Sequence, residues 1–177
     1  MGKPTGFMEY QREVAPKRSV EERSKDWRPI NEALAPGTIT KQASRCMDCG
    51  VPFCNSSCPL GNMVPDWNDL VYRDMWVEAL AKLHATNNFP EFTGAVCPAP
   101  CEASCVLNIN SSSVTIKQIE WSIVEKGWEK DWIKPMPPTE ETGKSVGIVG
   151  SGPSGLSAAQ QLRRVGHQVT VYEKSDA

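Results

Sequence analysis

No apolar stretch of this chain approaches the roughly 20 residues that a membrane-spanning helix needs, and residues 1–7 lack the apolar core of a secretory signal. There is no internal repeat and no low-complexity tract. An excess of one charge is also lacking. The formal net charge is −2 over 177 residues, which leaves no electrostatic footprint for nucleic acid or for an anionic membrane surface. Two histidines occur, His84 and His167, and neither has ligand-like spacing. No residue pattern reads as a catalytic acid, base or nucleophile, so no catalytic side chain is assigned. These absences predict a cytoplasmic chain with no nucleic-acid or membrane partner. Thiols stay reduced there, and a disulfide framework is not expected.

What the chain does have is cysteine, and it is clustered. The first run places Cys46, Cys49, Cys54 and Cys58 at spacings x2, x4 and x3, with Pro59 behind the last. The second run places Cys97, Cys101 and Cys105, which completes the seven. Thiols grouped in this way hold structural zinc or iron–sulfur clusters. Zinc favours paired CxxC knuckles and only one CxxC exists here, so a zinc-stabilised interaction domain is the less favoured alternative. The order C-x2-C-x4-C-x3-C-P is close to the bacterial ferredoxin run C-x2-C-x2-C-x3-C-P. In that run three cysteines hold one cubane and the fourth reaches across to another. On this division Cys46, Cys49 and Cys54 share one [4Fe–4S] cluster with a distant cysteine. Cys58 serves a second cluster with cysteines of the other run.

Two clusters require one more ligand than the thiols supply, and Glu120 is the candidate. A helix capped by Ser113 or Thr115 is expected to run to about Trp128, with Ile116, Ile119, Ile123 and Val124 on one face. Glu120 lies at the centre of that face, where a carboxylate needs a partner. An arginine or lysine of the N-terminal segment, or water at the helix margin, would satisfy it as well as a metal. Gln118 is expected to point the opposite way.

The rest of the first 130 residues reads as short helices and loops. Residues 1–18 are expected to be extended. Ser19 and Glu22 have capping-box spacing for a helix to about Trp27. Pro36-Gly37 reads as a turn, with Thr38 or Thr40 capping a helix that delivers Cys46. The first cysteine run reads mostly as a loop. Pro65–Val71 is read as a short helix. Another is expected from Met75 to about Thr86, capped by Asp74, with Trp76, Val77, Leu80 and Leu83 on its apolar face. Residues 89–94 and 108–113 read as loops.

Residues 131–144, rich in proline and threonine, read as a linker. The pattern then changes to a short buried strand (145–149), a glycine loop, a helix to about Val165 and a second strand (168–172) ending at Glu173. In the loop, Gly150 permits the tight turn, Gly152 lets the backbone approach a pyrophosphate, and Gly155 lets helix and strand pack closely. The helix N-terminus favours phosphate charge, and Glu173 is placed to accept ribose hydroxyls. The motif alone does not choose between FAD and a nicotinamide dinucleotide. One β-α-β unit is too little sheet for a complete nucleotide domain, so the chain reads as the front of a longer flavoprotein.

The cysteine order, the proline-containing linker and the run V-G-I-V-G-S-G-P-S-G-L-S-A-A together resemble the small (beta) subunits of NADPH-dependent glutamate synthases. So do Arg45–Cys54, Gly61-Asn62 and Val114–Glu120. Related layouts occur in NADPH:ferredoxin oxidoreductases and in dihydropyrimidine dehydrogenase. The resemblance implies a mainly α fold: a helical, double-cluster ferredoxin-like domain (1–130), the linker, and the truncated start of a Rossmann-type FAD-binding domain (145–177). It implies that Cys46, Cys49, Cys54 and Cys105 hold one cluster, and Cys58, Cys97, Cys101 and Glu120 the other. Gly150, Ser151, Gly152, Pro153, Ser154, Gly155 and Glu173 would then line FAD, with the NADPH site in the part beyond Ala177. The activity implied is electron relay from NADPH through FAD and the two clusters to the FMN of a large (alpha) subunit, for glutamate synthesis.

Overall fold

The N-terminal segment, expected to be extended, opens with a helical turn, α1 (Gly6–Glu9), and then pairs Lys17 with Asn31 in an isolated antiparallel bridge. The Ser19–Glu22 capping box forms. The Ser19 hydroxyl accepts the Glu22 N–H at 3.2 Å, and the Glu22 carboxylate accepts the Ser19 N–H at 3.3 Å. The helix it starts, α2 (Val20–Arg23), is one turn long and does not reach Trp27. None of its residues is buried, and an unpacked turn gains too few bonds to propagate. The computed structural model describes residues 2–176, in two units that divide between Trp132 and Ile133.

Proline starts helices here more often than it ends them. In α3 (Pro36–Ser44), proline occupies the first turn, and the cap is Ala35 rather than Thr38 or Thr40. The missing N–H and fixed φ of proline suit that position, where the N–H has no intrahelical partner. The first cysteine run contains α4 (Phe53–Ser57) instead of a continuous loop. Then come α5 (Val64–Tyr72) and α6 (Trp76–His84). Asp74 does not cap α6. It has a left-handed backbone (φ 62°), and its carboxylate accepts the Trp76 indole N–H at 2.5 Å. Val77 faces outward and Ala79 takes its place in the core. Residues 89–94, read as a loop, belong mostly to α7 (Pro90–Val96), which again starts on proline. α8 (Pro100–Ala103) and a 3-10 turn (Val106–Ile109) complete the second cysteine region.

The core of the first unit is built by Ile39 and Ala43 of α3, Trp67 and Val71 of α5, Ala79 and Leu83 of α6, and α9 (Ile116–Glu129). Ile116, Ile119, Ile123 and Val124 are buried together, as their spacing predicts. Each such aliphatic side chain contributes about 1.5–3 kcal/mol of burial free energy. Gln118 is buried too, contrary to its expected outward face. α9 is enclosed by α7, α6 and α3 on several sides, so one apolar stripe does not account for all its packing.

Two long-range polar ties fix this unit. The Arg45 guanidinium, 1% exposed, donates to the carbonyls of Tyr10 (3.0 Å), Ser113 (2.8 Å) and Ser112 (2.7 Å). Glu102 caps α9 from outside: its Oε1 accepts the Lys117 N–H at 2.9 Å, while its other oxygen pairs with Arg12. A carboxylate beside the positive end of a helix is favourable.

In the second unit, β1 (Ser145–Val149) and β2 (Gln168–Tyr172) are parallel, in register from Ser145↔Gln168 to Val149↔Tyr172, with α10 (Pro153–Arg164) as the crossover. The strand expected to be buried is half exposed along its length, and Val149 is 92% exposed. Within this unit α10 packs against both strands, and a single helix covers one face of a sheet. The fold class is therefore mainly α with a single Rossmann-type β-α-β unit.

Candidate functional site

Helix ends place the thiols. Cys46 follows the C-terminus of α3, its N–H bonded to Ala43 O at 3.1 Å, and the left-handed Asp48 turns the chain back. Cys54 lies in α4, and Cys58 is that helix's C-cap. Cys97 is the C-cap of α7, Cys101 lies in α8, and Cys105 precedes the 3-10 turn. Between Cys97 and Cys101, Ala99 is left-handed (φ 57°), which aims its N–H at Cys97 Sγ, 3.3 Å away. Ser57 and Ser104 bond to each other at 2.5 Å and hold α4 against α8.

The seven thiols divide between two pockets. Cys46, Cys49, Cys54 and Cys105 line one; Cys58, Cys97, Cys101 and Glu120 line the other. Val64 and Ile116 line both, so the two pockets share an aliphatic wall. Electrostatics follow the same division. Burial raises the Cys46 and Cys49 thiols and pushes Cys54 up to about 12, with Cys46, Cys105 and Cys49 adding to the effect on Cys54. Cys101 is also pushed up to about 12, by burial first and then by Glu102, Glu120, Cys58 and Cys97. Anions gathered in low dielectric need a compensating cation.

A single zinc ion would draw its thiolates to about 3.8 Å from one another, given Zn–S near 2.3 Å. Among the described residues no group of three His, Cys, Asp or Glu is close enough to hold one ion. The soft donor set in two separate groups fits polynuclear iron–sulfur centres.

Glu120 is 6% exposed. Its Oε1 accepts from Asn87 Nδ2 at 3.0 Å and from the Thr93 hydroxyl. Burial pushes its carboxyl from the ordinary 4.5 up to about 7, against the opposing pull of these two bonds. Among the described residues no N-terminal cation pairs with Glu120. Arg12 pairs with Glu102, Arg18 pairs with Asp26 at 2.6 Å, and Arg45 is spent on carbonyls. At 6% exposure Glu120 does not sit at a solvated helix margin.

The glycine loop has the backbone its sequence predicts. Gly150 has φ 101°, Gly152 caps α10, and Pro153 occupies the first turn. A Cβ on Gly155 would lie 2.1 Å from Gly150 O, so the helix and loop touch where only glycine fits. Ser151 and Ser154 lie in the same turn, at the start of α10. The Glu173 carboxylate accepts the Ser151 N–H (2.8 Å) and hydroxyl (2.7 Å) through one oxygen, and the Lys174 and Ser175 N–H groups through the other. These bonds hold its carboxyl down at about 2.

Sequence reasoning missed the polar residues around the thiols. Asn87 and Thr93 follow from no spacing rule, because they reach Glu120 from a loop and from α7. Asn68 is fully buried beside the first thiol pocket, and no pattern in the sequence marked it.

The family model for dihydropyrimidine dehydrogenase domain II, 4Fe-4S cluster, matches residues 23–132, and a model for an NAD(P)-binding Rossmann-like domain matches residues 148–177. The chain is 55% identical over 99% of its length to the glutamate synthase [NADPH] small chain of Mycobacterium tuberculosis (strain CDC 1551 / Oshkosh), covering 36% of that protein. It is 53% identical to the corresponding small chain of Bacillus subtilis (strain 168), covering 99% of this chain and 38% of that one. It is 51% identical to the glutamate synthase [NADH] of Schizosaccharomyces pombe, again over 99% of this chain but 8% of that protein. The chain thus spans a little over a third of the bacterial small chains it matches. With the family model covering most of its length and the thiols gathered where that model lies, the chain belongs to the dihydropyrimidine dehydrogenase domain II, 4Fe-4S cluster family.

Proposed function

We propose that this chain is the electron-transfer part of a glutamate synthase small chain, carrying two [4Fe–4S] clusters and the start of an FAD site, and serving a large subunit in the cytoplasm. One observation carries the reading: seven cysteines and one buried carboxylate divide between two pockets that share Val64 and Ile116. Similarity along nearly the whole chain to glutamate synthase small chains favours this activity over a pyrimidine- or ferredoxin-reducing relative.

When bound, the clusters supply single-electron exchange and FAD the conversion of a hydride into single electrons. Cys46, Cys49, Cys54 and Cys105 would hold one cluster; Cys58, Cys97, Cys101 and Glu120 would hold the other. Val64 and Ile116, each 1% exposed, form an apolar wall common to the two sites. Asn87 and Thr93 occupy Glu120 Oε1 and fix the carboxylate's orientation. Gly150, Gly152 and Gly155 leave room for a pyrophosphate, and Ser151, Pro153 and Ser154 shape its turn. Glu173 would accept ribose hydroxyls beside the Ser151, Lys174 and Ser175 donors that it already holds. The NADPH site belongs to the remainder of the small chain.

The test is iron, acid-labile sulfide and flavin content of the full-length protein, with EPR after reduction. The expected result is two clusters and one FAD per chain, with Glu120→Ala removing one EPR signal and sparing the other. A protein holding zinc without sulfide overturns the proposal. Unchanged iron and EPR in the Glu120→Ala variant overturns the role of Glu120.

A further inference from the structure

Asn68 is the most anomalous polar residue of the first unit. It lies on α5, is 0% exposed, and neither its Nδ2 nor its Oδ1 has a hydrogen-bond partner of normal geometry among the described residues. An amide buried without partners is costly, on the order of 1–3 kcal/mol for each unmet group, and such groups are rare in folded proteins. The side chain lines the pocket of Cys46, Cys49, Cys54 and Cys105, whose other walls include Val64, Pro65, Val106, Leu107, Val114 and Ile116. Those walls offer an amide nothing to bond, and a water placed there would find few polar partners. Apart from the amide itself, the side-chain acceptors lining the pocket are the sulfurs of Met47 and of the four cysteines. The amide and the Cys46 thiol line the same pocket.

We infer that Asn68 is a positioning residue for the first iron–sulfur site, donating its side-chain N–H to sulfur there and setting that site's reduction potential. The inference rests on the two-cluster reading above. Reduction adds one electron to the site without making or breaking a bond. The positive end of an N–H dipole stabilises the state with more negative charge, so the donor raises the potential. Asn68 lines the first pocket and not the second, so substitutions at Asn68 should act on one site alone.

The experiment is an EPR-monitored redox titration of the full-length protein, wild type against Asn68→Leu, with iron and sulfide measured on the same samples. The signal that Glu120→Ala removes identifies the second site, and the remaining signal the first. Asn68→Leu keeps the branched skeleton of the side chain and removes the N–H. The expected result is a lower potential for the first site, with the oxidised-to-reduced ratio at fixed poise rising about tenfold, equivalent to ~59 mV for one electron. The second site should not move. Asn68→Met, whose flexible chain fills the same space, provides a second variant without the donor and should shift the potential in the same direction. Full iron and sulfide with an unshifted first potential in both variants overturns the inference and leaves the two-cluster reading intact. A wild-type protein without sulfide overturns both. Equal shifts of the two sites mark a general packing effect and also overturn the inference.

Discussion

Asn87 donates its side-chain N–H to Glu120 across 3.0 Å of buried space, and the same nitrogen reaches the Thr93 hydroxyl at 2.8 Å. Asn87 also accepts the Phe89 N–H at 3.1 Å, so one 3%-exposed side chain holds both the carboxylate and the start of α7. Replacing it with leucine takes away one of the two donors to a buried carboxylate and leaves it the Thr93 hydroxyl. Asn87→Leu is expected to destabilise the protein by about 2–3 kcal/mol, seen as a lower urea midpoint. Asn87→Asp should cost more, because it sets a second carboxylate against Glu120. A neutral Asn87→Asp would show that Glu120 is not held as an anion.

Glu102 combines a helix cap and an ion pair. Its contact with the Lys117 N–H replaces the side-chain cap that Thr115 does not supply, since the Thr115 hydroxyl is turned to Glu13 O at 2.9 Å. Glu102→Ala is expected to cost about 1–3 kcal/mol. Glu102→Gln keeps an acceptor for Lys117 and should cost less. If the two variants are equal, the ion pair with Arg12 carries the effect instead of the cap.

Gly94 sets how closely α7 crosses α9. A Cβ there would stand 2.8 Å from Trp121 Cβ and 3.0 Å from Trp121 Cα. Neither atom is the end of a flexible side chain, so the helices must part. Gly94→Ala should cost about 1–3 kcal/mol in overpacking. Because Thr93 precedes it, the variant should also loosen the second thiol site, measured as iron lost from that site on dilution.

Gly155 plays the corresponding part in the nucleotide unit. A methyl at this position meets the Gly150 carbonyl oxygen 2.1 Å away, and the loop cannot keep both its turn and its contact with α10. Gly155→Ala in the full-length protein should lower the flavin content severalfold while leaving iron content unchanged. Retained flavin would show that the loop has another route to the same phosphate geometry.

Glu173 gives a pH dependence with a definite sign. Hydrogen bonds from Ser151, Ser175 and Lys174 depress its carboxyl from 4.5 to about 2. A depressed carboxyl contributes its stabilising contact fully above pH 4.5 and loses it as pH falls through about 2. The Ser151 amide resonance should therefore titrate with a midpoint near pH 2, and Glu173→Gln should abolish the titration. A midpoint near 4.5 would mean that the Glu173–Ser151 contact is not maintained in solution.

Much of the site was legible because its signals are local. Cysteine spacing is a property of a short segment, and its likeness to the ferredoxin run suggests that Cys58 parts from the other three. The glycine loop and α9 are equally local: a strand, a turn and a helix in sequence, and a regular apolar stripe with Glu120 at its centre. The differences have two causes. Pro36 reads as part of a turn and residues 89–94 as a loop, yet Pro36 and Pro90 begin helices, since proline is compatible with both a turn and a first helical turn. Gln118 was placed outside by a periodicity that assumes one buried face, whereas α9 is enclosed on several sides.

By itself the sequence determined the donor types, their spacing and the nucleotide turn, because these depend on residue chemistry and on neighbours a few positions away. The tertiary structure decided which thiols face which pocket, that Val64 and Ile116 stand between the two, and that Glu120 meets Asn87 and Thr93 instead of an arginine. It also left Asn68 buried beside sulfur. Those outcomes depend on contacts between residues tens of positions apart, set by how α5, α7 and α9 pack, and no local pattern encodes them.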